Sequence, residues 1–323
     1  MLNVIIPLYN GRDTLPQALD SLVAQTRKMF FVTIVNDCDG LDYSDIIEEY
    51  TRRGLHINYL QTEKNGGPGM ARQYGMDHSG NCDFVMFLDA DDMLLPHATE
   101  ILYKEAKRTD CDIIDSDFYK EHKNIGCQSL IAGEISITWM HGKIYKLSYL
   151  REHNIRFLPE LFYNEDAYFN LVAWNSTTNR SIVHEFTYLW RDNEQSVTRV
   201  NKGKTFQKTG WLYYIKSQIC GIYKLYELGG DLNPQLMAAT LINMYKYMMR
   251  ALHDENESYP EAERVLVEKL RGYEPLMQAL KVASFWEYVI EHLNACEELD
   301  EGVFFYKERF IDWLNKYIYE VTA

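Results

Sequence analysis

Five apolar residues that run straight into a cluster of carboxylates, Phe84-Val85-Met86-Phe87-Leu88-Asp89-Ala90-Asp91-Asp92, constrain this chain more than any other stretch. A run this short and this continuously apolar reads as a strand buried on both faces, the kind found in a parallel sheet with helices on each side. The acids then lie at its carboxyl end, the edge of an open α/β sheet where ligands bind. Packed so closely, they repel one another unless a cation or a hydrogen-bond network intervenes. Alternate residues of an extended chain project to the same side, so Asp89 and Asp91 are placed to share one hard divalent ion through oxygen ligands. Asp92 is left to cap a helix beginning near Pro96.

The elements before and after that strand alternate. Residues 2–8 read as a first buried strand, followed by a helix with Pro16 in its first turn and Leu15, Leu19, Leu22 and Val23 at helical spacing. Residues 30–35 are β-branched and aromatic and end in Asn36-Asp37-Cys38-Asp39-Gly40, which again puts acids at a strand's carboxyl end. A helix over 43–53 and a strand over 56–60 lead to Asn65-Gly66-Gly67-Pro68-Gly69-Met70-Ala71-Arg72. Its glycines let backbone approach a ligand, and the helix starting there offers unpaired N–H groups to an anion, with Arg72 in the first turns. A helix over 96–109 and a strand over 111–116 complete the alternation, which predicts an α/β fold with a doubly wound, mostly parallel sheet.

After residue 120 the pattern loosens. Trp139 to Tyr145 precedes a short amphipathic helix, and Leu158 to Phe169 leads into another. Asn164 is suited to cap the latter, so Glu165 and Asp166 fall in its first turn, where the helix dipole favours anions; acids there often do no more than stabilise the helix. Residues 180–190 resemble a strand, and a polar loop follows over 192–199. From residue 203 onward helical spacing dominates, in Trp211, Ile215, Ile219, Ile222 and Leu225 and then Leu236, Leu241, Tyr245 and Met248. The expected division is therefore a ligand-binding unit over 1–202 and an all-helical C-terminal region of four to six helices over 203–323. That region is expected to shape an acceptor site or to make a homodimer contact.

An apolar share of 46% in 323 residues is enough for a real core. A formal charge of −14 argues against a broad nucleic-acid or anionic-membrane footprint. No basic leader precedes a long apolar run, and no stretch reaches the roughly eighteen apolar residues a spanning helix needs, so neither a secretory signal nor a transmembrane segment is expected. The six scattered cysteines contain no Cys-x-x-Cys pair and read as reduced thiols of a cytoplasmic protein rather than zinc ligands.

Taken in order, five segments give the first 200 or so residues a resemblance to the family 2 glycosyltransferases, inverting enzymes of the A-type nucleotide-sugar fold. They are Val4-Ile5-Ile6-Pro7-Leu8-Tyr9-Asn10, Val35-Asn36-Asp37, Asn65-Gly66-Gly67 with Ala71-Arg72, Phe87-Leu88-Asp89-Ala90-Asp91-Asp92, and Asn164-Glu165-Asp166. Trp139 to Tyr145 and Gln195-Ser196-Val197-Thr198 also look like stretches that recur in bacterial members. The resemblance implies that Asp37 reads the uracil of a UDP-sugar, or the base of another nucleotide, and that backbone near Pro7 and Tyr9 lines the base pocket. It implies that Asp89 and Asp91, flanking Ala90, reach the ribose and, through Mn2+ or Mg2+, the diphosphate. Asn65, Gly67 and Arg72 fall on the same donor side. Of the pair Glu165-Asp166, Asp166 looks like the catalytic base. Relatives more often have consecutive acids followed by a Gly-Ser turn where this chain has Asn36-Asp37-Cys38-Asp39, so Asp37 and Asp39 both stand as readers of the base. His141 and Lys143 are candidates at the leaving diphosphate.

The implied activity is inverting, metal-dependent transfer of a sugar from a nucleoside-diphosphate sugar to a hydroxyl of a glycan or other acceptor, as in surface polysaccharide synthesis. The residue types fit that chemistry: departure of the diphosphate needs charge stabilisation, and the attacking hydroxyl needs a base. Two alternatives remain open on the sequence. A nucleotidyltransferase would carry a Gly-rich basic loop directly after the first strand, whereas here the glycines follow the third. A protein that binds nucleotide sugars without turnover would have no need to keep Asp89, Asp91, Glu165 and Asp166 together.

Overall fold

The apolar run near the start of the chain forms β1 (Leu2–Leu8), buried throughout except at Pro7, and becomes the middle of a parallel block. β2 (Phe30–Asn36) pairs with it on one side and β4 (Phe84–Phe87) on the other, and β3 (Ile57–Gln61) adds to β2, all in parallel register. In a strand successive side chains face opposite ways. Leu2, Val4, Ile6 and Leu8 accordingly join one core with Leu15, Leu19 and Leu22 of α1 (Leu15–Val23) and with Leu102 and Ala106 of α4 (Ala98–Thr109). Ile5, on the other face, meets α3 (Gly67–Asp77); α2 (Ser44–Arg52) precedes β3. The structure, a computed structural model, describes residues 1–122, 126–132, 138–193, 206–229, 233–253, 259–297 and 307–319.

Beyond β4 the sheet turns mixed. β5 (Met93–Leu94), β6 (Ile113–His122), β7 (Gly126–Leu130), β8 (Lys143–Lys146) and β9 (Arg180–Trp190) complete the order β3-β2-β1-β4-β8-β6-β9-β5, with β7 on β6. β8 inserts antiparallel between β4 and β6, whereas β6 and β9 are parallel. The α/β class is as expected, but β8 has no counterpart in the sequence reading because a lysine stands at each end of it. Lys143 lies opposite Asp115 of β6 in the register, and the two fully buried charges sit 3.3 Å apart. Short helices α5 (Leu147–Glu152) and α6 (Glu165–Asn175) bridge β8 to β9.

α3 lies close on the sheet because residue 75 has no side chain. A Cβ built at Gly75 would stand 2.5 Å from Cγ2 of Ile5 and 3.3 Å from Cγ2 of Val35, both fully buried. Gly75→Ala is therefore expected to destabilise the fold by about 1–3 kcal/mol despite its better helix propensity, through overpacking. A thermal melt measures it; an unchanged or raised Tm would contradict the close approach.

The chain divides into two units, residues 1–199 and 200–323. The expected boundary after residue 202, and the Gln195–Thr198 stretch, lie outside the described residues. Among the described residues the second unit holds six helices: α7 (Phe206–Glu227), α8 (Pro234–His253), α9 (Tyr259–Leu270), α10 (Glu274–Ala279), α11 (Ala283–Glu297) and α12 (Lys307–Tyr317). Its own core centres on Leu241, Ile242, Tyr245, Phe285 and Phe310. Among the described residues no helix is long and apolar enough to cross a membrane.

Candidate active site

The acids after β4 are held by the far end of β9. A turn closed by the Asp92 N–H on the Asp89 carbonyl (3.0 Å) follows the strand. Asp92, 2% exposed, accepts hydrogen bonds from the Tyr188 hydroxyl (2.7 Å) and the Arg191 backbone N–H (2.8 Å). It does not cap the next helix: the N-cap position of α4 is His97, with no side-chain cap. Burial, and then the charges of Asp91 and Asp89, push the Asp92 carboxyl well above the usual carboxylate range. Asp91 accepts from Nδ2 of Asn193 (3.0 Å), and the half-buried Asp89 receives Arg72.

Arg72 is the centre of the arrangement. It comes from the second turn of α3, is 4% exposed, and sends Nη2 to Oδ1 of Asp89 (2.6 Å) and Nη1 to Oε1 of Glu165 (2.7 Å). α3 approaches α6 closely enough for this because residue 69 is glycine; a Cβ there would lie 2.7 Å from Cγ of Glu165. Both contacts of the Arg72 guanidinium in this structure are thus to carboxylates of the chain itself. Burial pushes the Asp89 carboxyl up, but the Arg72 guanidinium overcomes that and holds it below its ordinary value.

Glu165 and Asp166 open α6, with Asn164 at its N-cap position in a left-handed conformation (φ 57°) and no side-chain cap. Glu165 is buried; desolvation raises its carboxyl and Arg72 opposes the rise. Asp166 is half-buried and accepts the N–H of Ala167 (2.8 Å). Burial and the neighbouring Glu165 push it up to about 7, against Arg72 and the Ala167 hydrogen bond. A carboxylate near 7 has the basicity a general base needs at neutral pH.

His141 stands on the other side of the acid turn in an aromatic cage, with ring centroids 4.7 Å from Tyr188, 5.0 Å from Trp190 and 5.3 Å from Phe118. Burial keeps the imidazole neutral, its pKa lowered to about 3. Its Nδ1 is buried without a hydrogen-bond partner among the described residues, 4.0 Å from Oδ2 of Asp92. Ligand atoms of Asp89, Asp92 and His141 all lie within 4.8 Å of one another. Two carboxylates and an orphaned neutral imidazole nitrogen fit a divalent cation. Asp92 is the ligand candidate the sequence reading missed; the signal was its position one residue past the Asp89-Ala90-Asp91 triplet, which capping had explained.

The other expected site residues sit around β1 and β2. Asp37, 2% exposed, accepts from the Gly67 N–H (2.7 Å), the Gly66 N–H (3.1 Å) and the Thr62 hydroxyl (3.0 Å), so it ties the end of β2 to the start of α3. Asn65 adds a side-chain acceptor to the same Gly67 N–H (3.0 Å). Asp39 accepts from Asn10 N–H (2.8 Å), Leu41 N–H (2.9 Å), Asn36 Nδ2 (3.0 Å) and the Tyr43 hydroxyl (2.6 Å). Burial would raise the Asp39 carboxyl, but these donors hold it below its usual value. Pro7 is half-buried, Tyr9 is exposed, and Ala90 is half-buried within the acid turn. Lys143 is fully buried, donating to the Trp139 carbonyl (2.9 Å) and paired with Asp115. Desolvation lowers its pKa and Asp115 opposes the fall.

Comparison with known proteins bears on this geometry. A family model described as "Glycosyl transferase family 2" matches residues 3–158. The uncharacterized glycosyltransferase EpsJ of Bacillus subtilis is 24% identical over 220 residues, 62% of this chain and 63% of that protein. The poly(ribitol-phosphate) beta-N-acetylglucosaminyltransferase TarS of Staphylococcus aureus is 27% identical over 203 residues, 58% of this chain and 35% of TarS. The chain thus spans less than two thirds of the length of either relative. The crystal structure of S. aureus TarS 1-349 in complex with UDP-GlcNAc superposes with a TM-score of 0.69 at 20% identity, covering 90% of this chain and 84% of that one. The fold is the same.

Proposed function

We propose, on the premise that this chain belongs to glycosyl transferase family 2 through residues 3–158, that it transfers a sugar with inversion from a UDP-sugar to an acceptor hydroxyl. The observation that carries the reading is the pair of contacts made by Arg72. One guanidinium draws Asp89, at the end of β4, and Glu165, beside the candidate base, into a single centre. The nucleotidyltransferase and binding-protein alternatives give no reason for a base-bearing helix at that place.

The acceptor hydroxyl approaches Asp166, whose carboxylate takes its proton as the oxygen attacks the anomeric carbon. The carbon–oxygen bond to the diphosphate breaks on the opposite face and its electron pair leaves with UDP, so an α-linked donor gives a β-linked product. The contact between Glu165 and Arg72 keeps α6 oriented. Asp89 and Asp91 would hold Mn2+ or Mg2+, with Asp92 and the neutral His141 beside them, and the ion would supply charge stabilisation at the departing oxygens. Asp37 and Asp39 shape the turn against which the base lies, next to Pro7 and Tyr9.

TarS is named for adding N-acetylglucosamine to poly(ribitol-phosphate). That relative supports a polyhydroxyl surface polymer or its precursor as the acceptor here. The free thiols of Cys38, Cys82, Cys111 and Cys127 support action in the reducing cytoplasm.

Melting the chain with UDP, GDP, CDP and dTDP, each with and without Mn2+, tests the donor assignment. A ligand bound only to the folded state adds about 2.7 kcal/mol at a hundred times its dissociation constant. UDP with Mn2+ is expected to raise Tm most. No shift with any nucleotide would remove the reading.

A further inference from the structure

We infer that Arg72 is a positioning residue for glycosyl transfer, a clamp that sets the donor-side acid Asp89 and the base-bearing amino terminus of α6 in fixed relation. The inference rests on the function proposed above. Nothing in the chemistry of transfer requires these two segments to touch; the guanidinium makes them one rigid unit. Its planar fork fits the task, with Nη2 on Asp89 at 2.6 Å and Nη1 on Glu165 at 2.7 Å. Phe157 lies beneath it, the ring centre 5.9 Å from Cζ. Nε is buried with no partner among the described residues, so the side chain gives up one hydrogen bond there while making the other two. A lysine, with a single ammonium centre, cannot span both carboxylates in this geometry.

Glu165 itself does not take the proton; its place is to receive the clamp one residue before Asp166. Displacement of a catalytic group by about 1 Å can cost about 10²-fold in rate. Arg72 therefore governs turnover more than donor affinity.

The test is steady-state kinetics of UDP release from the preferred UDP-sugar for native chain, Arg72→Lys, Arg72→Ala, Glu165→Gln and Arg72→Ala/Glu165→Gln, each confirmed folded by circular dichroism. Arg72→Ala is expected to lower kcat by about 10²-fold, with donor KM within about threefold, and Arg72→Lys to recover part of the loss. In the Glu165→Gln background the Arg72→Ala substitution is expected to cost at least about tenfold less than in the native chain, the mark of two residues acting as one. Glu165→Gln preserves shape, so the measurement stands even if Arg72→Ala alone unfolds: a normal kcat in Glu165→Gln overturns the clamp. So do strictly additive losses, or losses confined to KM. Absence of UDP release by the native chain instead overturns the transferase reading on which the clamp rests.

Discussion

Asp166→Asn is expected to lower kcat by about 10²–10⁴-fold while leaving the melting shift caused by UDP intact, because an amide occupies the same space but cannot take a proton. The native pH profile carries the same information. Burial and Glu165 raise the Asp166 carboxyl to about 7, so it is protonated, and inactive as a base, below that pH. The logarithm of kcat/KM, which reports the free enzyme, should rise with slope near one as pH approaches about 7 and then level off. Asp166→Asn should abolish that limb along with the rate. Glu165→Gln removes the neighbouring negative charge that helps raise Asp166, and is expected to move the limb to lower pH. A profile flat from pH 5 to 8 in the native chain would contradict Asp166 as the base.

The second large effect concerns the acids at the end of β4. Chelation with EDTA, and separately Asp91→Ala, are each expected to reduce kcat by about 10²–10³-fold, the size found when one preorganised stabiliser of departing charge is lost. Added Mn2+ or Mg2+ should restore the chelated native chain and not the variant. His141→Gln distinguishes which residues complete the site: the ring is neutral, and Nδ1 is unsatisfied near Asp92 and Asp89. If His141 ligates, the variant needs more Mn2+ to reach half-maximal rate, with the nucleotide affinity measured apart from turnover. Full activity in metal-free buffer would contradict a cation at these acids.

The parallel half of the fold was legible because β1, β2 and β4 are mostly apolar runs, buried except at Pro7 and Phe31, and such runs have few other uses. The helical second unit was legible by period. β8 was not, since Lys143 and Lys146 break its apolar signature and only the partner strand, with Asp115 at the facing position, makes a buried lysine tolerable there. The site divides along the same line. The carboxylates at strand and helix ends announced themselves by position, and so did the pair at the start of α6. Their assignments to partners did not, because hydrogen bonds such as Tyr188 to Asp92, or Asn193 to Asp91, join residues about a hundred positions apart. Arg72 shows the limit most clearly. Local pattern put it at the amino end of α3, where an anion from outside is the natural partner, and the anions it holds are those of Asp89 and Glu165.

UDP release from a panel of UDP-sugars, followed with Mn2+ at pH 8 for the native chain and for Asp166→Asn, tests the central claim most directly. The account predicts sustained release by the native chain from at least one donor once a hydroxyl acceptor is present, and nearly none from the variant although it still binds UDP. Release at equal rates from both, or from neither with UDP bound by neither, would contradict it.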